Sequence, residues 1–277
     1  MVTTTEVTDP DDLRLADFRD LTTADRRPDR PGGRGLVLAE GAVVVRRLLA
    51  SPYPVRAVLG VRRKIDELAA DLDGVDADVF VTSADLMARV VGFHLNRGVL
   101  ASADRAAPMS FSRLVSGART LAVLEGINDH ENLGSLFRNA AALGIDGILL
   151  GARCADPLYR RSVRVSMGHV LRIPFASVPQ WPDDLLLLRR NGFRLVALTP
   201  RPGSTPLAAA GLAGAKVALL LGAEGPGLSP EALAAADALI GIPMAHGVDS
   251  LNVATAAAIA FHAASPMSTE GSGRPAI

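Results

Sequence analysis

Apolar residues in this chain come in short blocks that alternate between continuous apolar runs and helical spacing, with Gly, Pro, Asn and Asp between them. From Leu36 the pattern predicts a strand at 36–39, a helix at 42–50, a strand at 57–61 and a helix at 64–72. A strand at 78–82, a helix at 84–91 and a strand at 98–101 complete a small α/β unit. A polar stretch near 104–118 then precedes a second series. This runs as strand 120–127, helix 132–143, strands 147–151 and 170–176, helix 183–191, strands 193–198 and 216–221, helix 230–236 and strand 238–244. The second set of strands is almost unbroken apolar sequence, as expected of a parallel sheet covered by helices on both faces. Ligands of such sheets sit at the carboxyl ends of the strands.

The pattern gives five segments. Residues 1–35 are polar and hold at most a short helix at 13–21 before a flexible entry; 36–103 form the small domain; 104–117 are a linker; 118–264 form the larger domain; and 265–277 form a disordered tail. The stretch that closes the larger domain is the most informative. Pro243 ends strand pairing because it has no N–H, Gly247 allows a sharp turn, and Ser250 is placed to cap a helix starting at Leu251. That helix is small and apolar on almost every face, so it should be buried.

Polar residues cluster after three of the strands: Asn128 to Gly134, Gly222 to Ser229, and Gly247 to Asn252. Turn and cap chemistry alone accounts for any one of these. Arg138 and Glu224 are harder to explain that way. An arginine early in a helix opposes the helix dipole, and a glutamate between glycines has no capping role that needs its charge. Together the three loops outline a ligand site carrying Asn132, Arg138, Glu224, Ser250 and Asn252.

Composition narrows the chemistry mainly by exclusion. The 277 residues carry 29 Lys plus Arg against 29 Asp plus Glu, so any basic footprint for nucleic acid must be local. Arg46, Arg62 and Arg63, with Arg47, Arg56 and Lys64 nearby, are the candidate face for nucleic-acid phosphates; aspartates of similar number make a solvated surface the rival reading. The single cysteine, Cys154, excludes an internal disulfide and fits a reducing compartment. The five histidines lack zinc-ligand spacing, so no metal is expected. Neither a Walker sequence, nor G-x-G-x-x-G, nor a G-x-S-x-G elbow is present. With no signal-like N-terminus and no membrane-length apolar run, the expected location is the cytoplasm, away from any membrane.

Three segments, in order, resemble the signature motifs of the SpoU/TrmH family of RNA 2′-O-ribose methyltransferases, within the SPOUT superfamily. Asn132-Leu133-Gly134-Ser135-Leu136-Phe137-Arg138-Asn139-Ala140 resembles the first motif, Leu221 to Ser229 the second, and Ile242-Pro243-Met244 through Ser250-Leu251-Asn252-Val253 the third. Arg164 to Gly168 with Ile173-Pro174 also fits, so the likeness spans roughly 118–264. Residues 36–103 resemble the small ribosomal-protein-like substrate-binding domain that precedes many members. Ala254 stands where the family commonly has serine, and Asp129-His130-Glu131 replaces a proline-containing turn.

The resemblance implies a trefoil-knotted α/β domain with a mostly parallel sheet, a homodimer, and S-adenosylmethionine as cofactor. It implies backbone around Leu198, Thr199, Gly222, Ile242, Met244 and Leu251 as the cofactor cradle, with Asn132, Arg138, Glu224, Ser250 and Asn252 as the catalytic set. The implied substrate is RNA, ribosomal in preference to transfer RNA. A non-catalytic RNA-binding relative and a methyltransferase for a small molecule or protein are the rivals.

Overall fold

The computed structural model describes residues 2–21 and 35–265. The expected flexible stretch at 22–34 and the expected tail beyond 265 lie outside the described residues. In chain order the elements begin with β1 (Thr5–Glu6), β2 (Leu36–Glu40), α1 (Ala42–Leu49), β3 (Val55–Gly60), α2 (Arg62–Glu67), α3 (Ala69–Leu72), β4 (Asp78–Val81), α4 (Ala84–Val91) and β5 (Val99–Asp104). They continue with α5 (Phe111–Gly117), β6 (Thr120–Glu125), α6 (His130–Leu143), β7 (Gly147–Leu150), α7 (Arg160–Val165), β8 (Phe175–Ser177), α8 (Leu185–Arg190) and β9 (Arg194–Leu198). Last come β10 (Thr205–Pro206), β11 (Val217–Gly222), α9 (Pro230–Ala235), β12 (Ala238–Gly241) and α10 (Val253–Ala264). The chain divides into two compact units, Met1–Ala107 with Asp156–Arg172, and Pro108–Ala155 with Ile173–Ile277.

The first unit is built on a five-stranded mixed sheet in the order β1-β4-β3-β5-β2. β1, β4 and β3 run parallel, and β5 is antiparallel to both β3 and β2. Residues 2–21 belong to this unit, which corrects the reading of them as part of a flexible extension. Val7 N–H donates to the Val81 carbonyl at 2.9 Å, and a 3₁₀ turn at Leu13–Phe18 buries Leu15 and Phe18 completely. The apolar residues here, Leu15, Phe18 and Leu21, recur every third position, which is the period of a 3₁₀ helix rather than an α-helix. The helix expected at 64–72 is two helices, α2 and α3, meeting at a fully buried Leu68 with φ −99°.

α7 also belongs to the first unit although it follows β7 in sequence, and it buries Ser162 and Val163. The strand expected at 170–176 is instead a 3₁₀ turn at His169–Leu171 and then β8. Gly168, at φ 83°, starts the turn, and the Pro174 carbonyl accepts from Ile148 N–H at 2.9 Å to bring β8 into the second sheet. The expected linker holds α5, which Ser110 caps by accepting from Arg113 N–H at 3.3 Å and which packs Leu114 and Val115 into the second core.

The second unit carries a seven-stranded sheet, β10-β12-β9-β11-β6-β7-β8, parallel throughout. Every residue of β6 and β7 is buried, which is why these strands read as unbroken apolar runs. β7 and β8 extend the sheet on one side of β6 while β11, β9, β12 and β10 extend it on the other. The crevice of such a sheet lies where this order reverses, beside β6 and β11. Asp129 caps α6 by accepting from the N–H groups of Glu131 and Asn132, and Gly144 in the left-handed conformation ends it. Asn139 on α6 donates to the Ala254 carbonyl at 2.8 Å, fixing α6 against α10. The last strand is shorter than expected, ending at Gly241, and α10 begins at Val253.

Candidate active site

The ends of β9, β11 and β12 and the start of α10 enclose a cavity of about 560 Å³. Leu198 and Thr199 reach it from β9, Leu221 and Gly222 from β11, and Ile242 and Met244 from the segment after β12. Ser250, Leu251 and Asn252 close it on the side of α10, and Glu224 stands on its wall. All six residues expected to hold the cofactor therefore line one space.

Gly222 is required there by packing. A Cβ on it would lie 2.2 Å from the Gly227 carbonyl carbon and 2.3 Å from the Leu228 nitrogen, because the loop after β11 folds back onto the strand end. Gly227 N–H closes this loop on the Ala223 carbonyl at 3.0 Å, with Gly225 and Gly227 at φ 84° and 70°. The fold-back carries the exposed Glu224 toward α10.

Three of the expected catalytic residues form one network. Asn252 Nδ2 donates to Asn132 Oδ1 and to Glu224 Oε1, each at 2.7 Å. Its Oδ1 accepts from Ala254 N–H at 3.0 Å and Thr255 N–H at 3.3 Å, so Asn252 is the N-cap of α10. This corrects the assignment of the cap to Ser250, which is exposed and lines the cavity without capping. With both amide hydrogens and the carbonyl oxygen engaged, Asn252 orients its two neighbours and has no donor left for a ligand.

Arg138 is not brought to this network. It lies near the middle of α6, exposed, lining none of the cavities described, and makes no hydrogen bond or ion pair among the described residues. Because α6 starts at His130, the argument that Arg138 opposes the dipole in the first turns does not hold.

A second cavity, of about 330 Å³, lies at the β6–β11 reversal and shares Ala223, Glu224, Gly227 and Val253 with the first. Asn128, Asp129, Asn132 and Arg153 line it, together with Glu125, which the apolar pattern had not singled out. Glu125 is 2 % exposed; it accepts from Trp181 Nε1 at 2.8 Å and from Ser229 N–H at 2.9 Å, tying two loops to the end of β6. A carboxylate closing an apolar run was its only signal in the sequence.

In the first unit the expected RNA-phosphate face is interleaved with acid. Arg46 pairs with Asp71 at 2.9 Å and Glu67 at 3.6 Å, Lys64 with Glu67 at 2.6 Å, and Arg56 with Asp17 at 2.8 Å. Lys64 holds the Glu67 carboxyl below its ordinary value. Arg62 reaches Thr4 Oγ1 at 3.5 Å, and Arg63 is exposed. Cys154 is half-buried, its thiol donates to the Leu124 carbonyl at 3.4 Å, and burial pushes its pKa up. Among the described residues no helix is long and apolar enough to cross a membrane, and no three His, Cys, Asp or Glu side chains group to hold a metal ion.

The model of the SpoU rRNA methylase family matches residues 119–262. An uncharacterized tRNA/rRNA methyltransferase of Mycobacterium tuberculosis is 57 % identical over 259 residues, covering 93 % of this chain and 90 % of that protein. The crystal structure of an AdoMet-bound rRNA methyltransferase from Sinorhizobium meliloti superposes with a TM-score of 0.77 at 27 % identity, over 94 % of this chain and 97 % of that one. The SpoU methyltransferase AviRb from Streptomyces viridochromogenes, at 24 % identity and a TM-score of 0.75, shares the fold over 94 % of this chain and 99 % of its own.

Proposed function

Because the chain belongs to the SpoU rRNA methylase family, we propose that this methyltransferase moves the methyl group of S-adenosylmethionine to a ribose 2′-hydroxyl of RNA, ribosomal RNA in preference to transfer RNA. The observation that carries the reading is the Asn132–Asn252–Glu224 network at the wall of the cavity formed by β9, β11 and β12. Membership and the AdoMet-bound relative from Sinorhizobium meliloti support the cofactor.

The lining suits that cofactor. Leu198, Leu221, Ile242, Met244 and Leu251 offer apolar walls for an adenosyl group, and Thr199 and the main chain at Gly222 offer polar partners. Glu224 puts a carboxylate where a sulfonium gains from opposite charge. When bound, S-adenosylmethionine supplies an electrophilic methyl group; the rest of the work falls to this chain. A ribose hydroxyl is a weak nucleophile and must lose its proton as it attacks, so a base or a fixed dipole is needed. Glu224 Oε1 is held by Asn252, which leaves Oε2 as the atom able to take that proton. Asn132 gives its Oδ1 to Asn252, which turns its Nδ2 donors outward to orient the acceptor oxygen.

Arg138 acts in this reading on RNA phosphate or on developing negative charge, since a guanidinium stays protonated in proteins. The homodimer and the knotted chain path belong to the same reading and are supported by the family motifs. Arg138→Lys tests the role in single turnover: at saturating RNA the chemical step should stay within a few-fold of wild type, and a loss of several orders of magnitude would make Arg138 the base.

The function itself is tested by incubating the chain with radiolabelled S-adenosylmethionine and unmodified ribosomal or transfer RNA, then digesting to nucleosides. Label in a 2′-O-methyl nucleoside from ribosomal RNA is expected. Label on a base would overturn the ribose assignment, and label in transfer RNA alone would overturn the preference.

A further inference from the structure

We propose that the second cavity receives the acceptor nucleotide and that Arg153 grips its phosphate, an inference that rests on the RNA methyltransferase reading. The cavity of about 330 Å³ is within the range of small-ligand sites and opens against the donor cavity across Glu224. A nucleotide lying in it meets Asn132 and Glu224 directly.

The charges around it single out one residue. Glu125 accepts from Trp181 and Ser229, Asp129 from the amides of Glu131 and Asn132, and Glu224 from Asn252, so each lining carboxylate already has a donor inside the protein. Arg153 is the one cation of the lining, is exposed, and makes no hydrogen bond or ion pair among the described residues. Its planar fork matches two oxygens of a phosphate, while the carboxylates and amides of the lining suit the hydroxyl and amino groups of ribose and base.

The backbone gives independent support. Arg153 has φ 58°, a left-handed conformation that costs a non-glycine residue energy. It is held there because the chain on either side is pinned to the loop after β6: Gly126 N–H donates to the carbonyl of the preceding Ala152, and the N–H of Ala155, two residues on, to the Ile127 carbonyl, each at 2.8 Å. The left-handed backbone would be better served by glycine, and the arginine side chain makes no hydrogen bond or ion pair among the described residues that would offset the cost. The position makes sense if the side chain serves a ligand.

Arg153→Gly separates the two effects, because it removes the side chain and relieves the strain together. The melting temperature should rise by about 2–4 °C, and affinity for S-adenosylhomocysteine should stay at the wild-type value. The RNA concentration giving half-maximal methyl transfer, read with the same unmodified ribosomal and transfer RNA pools, should increase roughly tenfold or more. Arg153→Lys, which keeps the charge, should recover part of that loss. An unchanged RNA requirement in Arg153→Gly, or one that moves in step with cofactor affinity, overturns the proposal. A wild-type chain that binds S-adenosylhomocysteine but labels neither RNA overturns the reading beneath it instead.

Discussion

Asn252 shows how one side chain can join helix capping to site geometry. Its carbonyl oxygen starts α10 and its amide holds Asn132 and Glu224, so two substitutions pull the roles apart. Asn252→Ala should lose the cap, about 1 kcal/mol, and activity with it. Asn252→Asp keeps an acceptor for the helix amides and adds favourable charge at the helix N-terminus, yet sets a carboxylate against Glu224. Stability should hold while activity falls, and activity should recover as pH is lowered, because two adjacent carboxylates retain a shared proton to higher pH than either alone. Thermal melts and a pH–rate profile check both, and a flat profile would sink the Glu224 contact as the cause. The residue types here were legible: Asn, Ser and Gly announce a turn and a cap. Which of Ser250 and Asn252 caps was not, since both side chains can accept from amides two or three residues on. Arg153 was hidden for a different reason, because its left-handed backbone lies between bonds made by Ala152 and Ala155 to a loop distant in sequence.

Elements with a long, clean period were readable, and those specified by tertiary packing were not. β6, β11 and α6 follow from apolar runs and helical spacing. α5 and α7 are short, and their buried positions reflect what packs on them rather than their own propensity. A short helix was expected at 13–21; it is a 3₁₀ turn at Leu13–Phe18, and its burial in the first unit, rather than its existence, was not legible. Phe18→Ala measures how firmly that segment belongs to the first unit. A fully buried phenylalanine should cost about 3–5 kcal/mol in urea unfolding, and a cost below about 1 kcal/mol would return the segment to the status of a surface extension. Asp17 reinforces the expectation, since its carboxylate accepts from Ser102 Oγ at 3.0 Å and pairs with Arg56.

At the scale of the whole chain, the sequence pattern implied a parallel sheet with its ligands at the strand ends, but not the order of the strands. That order puts β6 beside β11, so motifs far apart in sequence end on one edge of one sheet. Three loops that turn chemistry alone would explain one at a time become a site because Asn132, Glu224 and Asn252 meet there. The same edge carries both the cavity proposed for the methyl donor and the one proposed for the acceptor nucleotide, and Glu224 lines the two. Calorimetric titration with S-adenosylhomocysteine, comparing wild type with Ala256→Phe, tests this arrangement most directly. Ala256 lines the larger of these two cavities from α10, where a larger side chain can fill the space without breaking the helix. The account predicts one saturable site per wild-type chain and a loss of affinity of roughly tenfold or more in a variant that remains folded. No binding by wild type, or equal binding by Ala256→Phe, would contradict it.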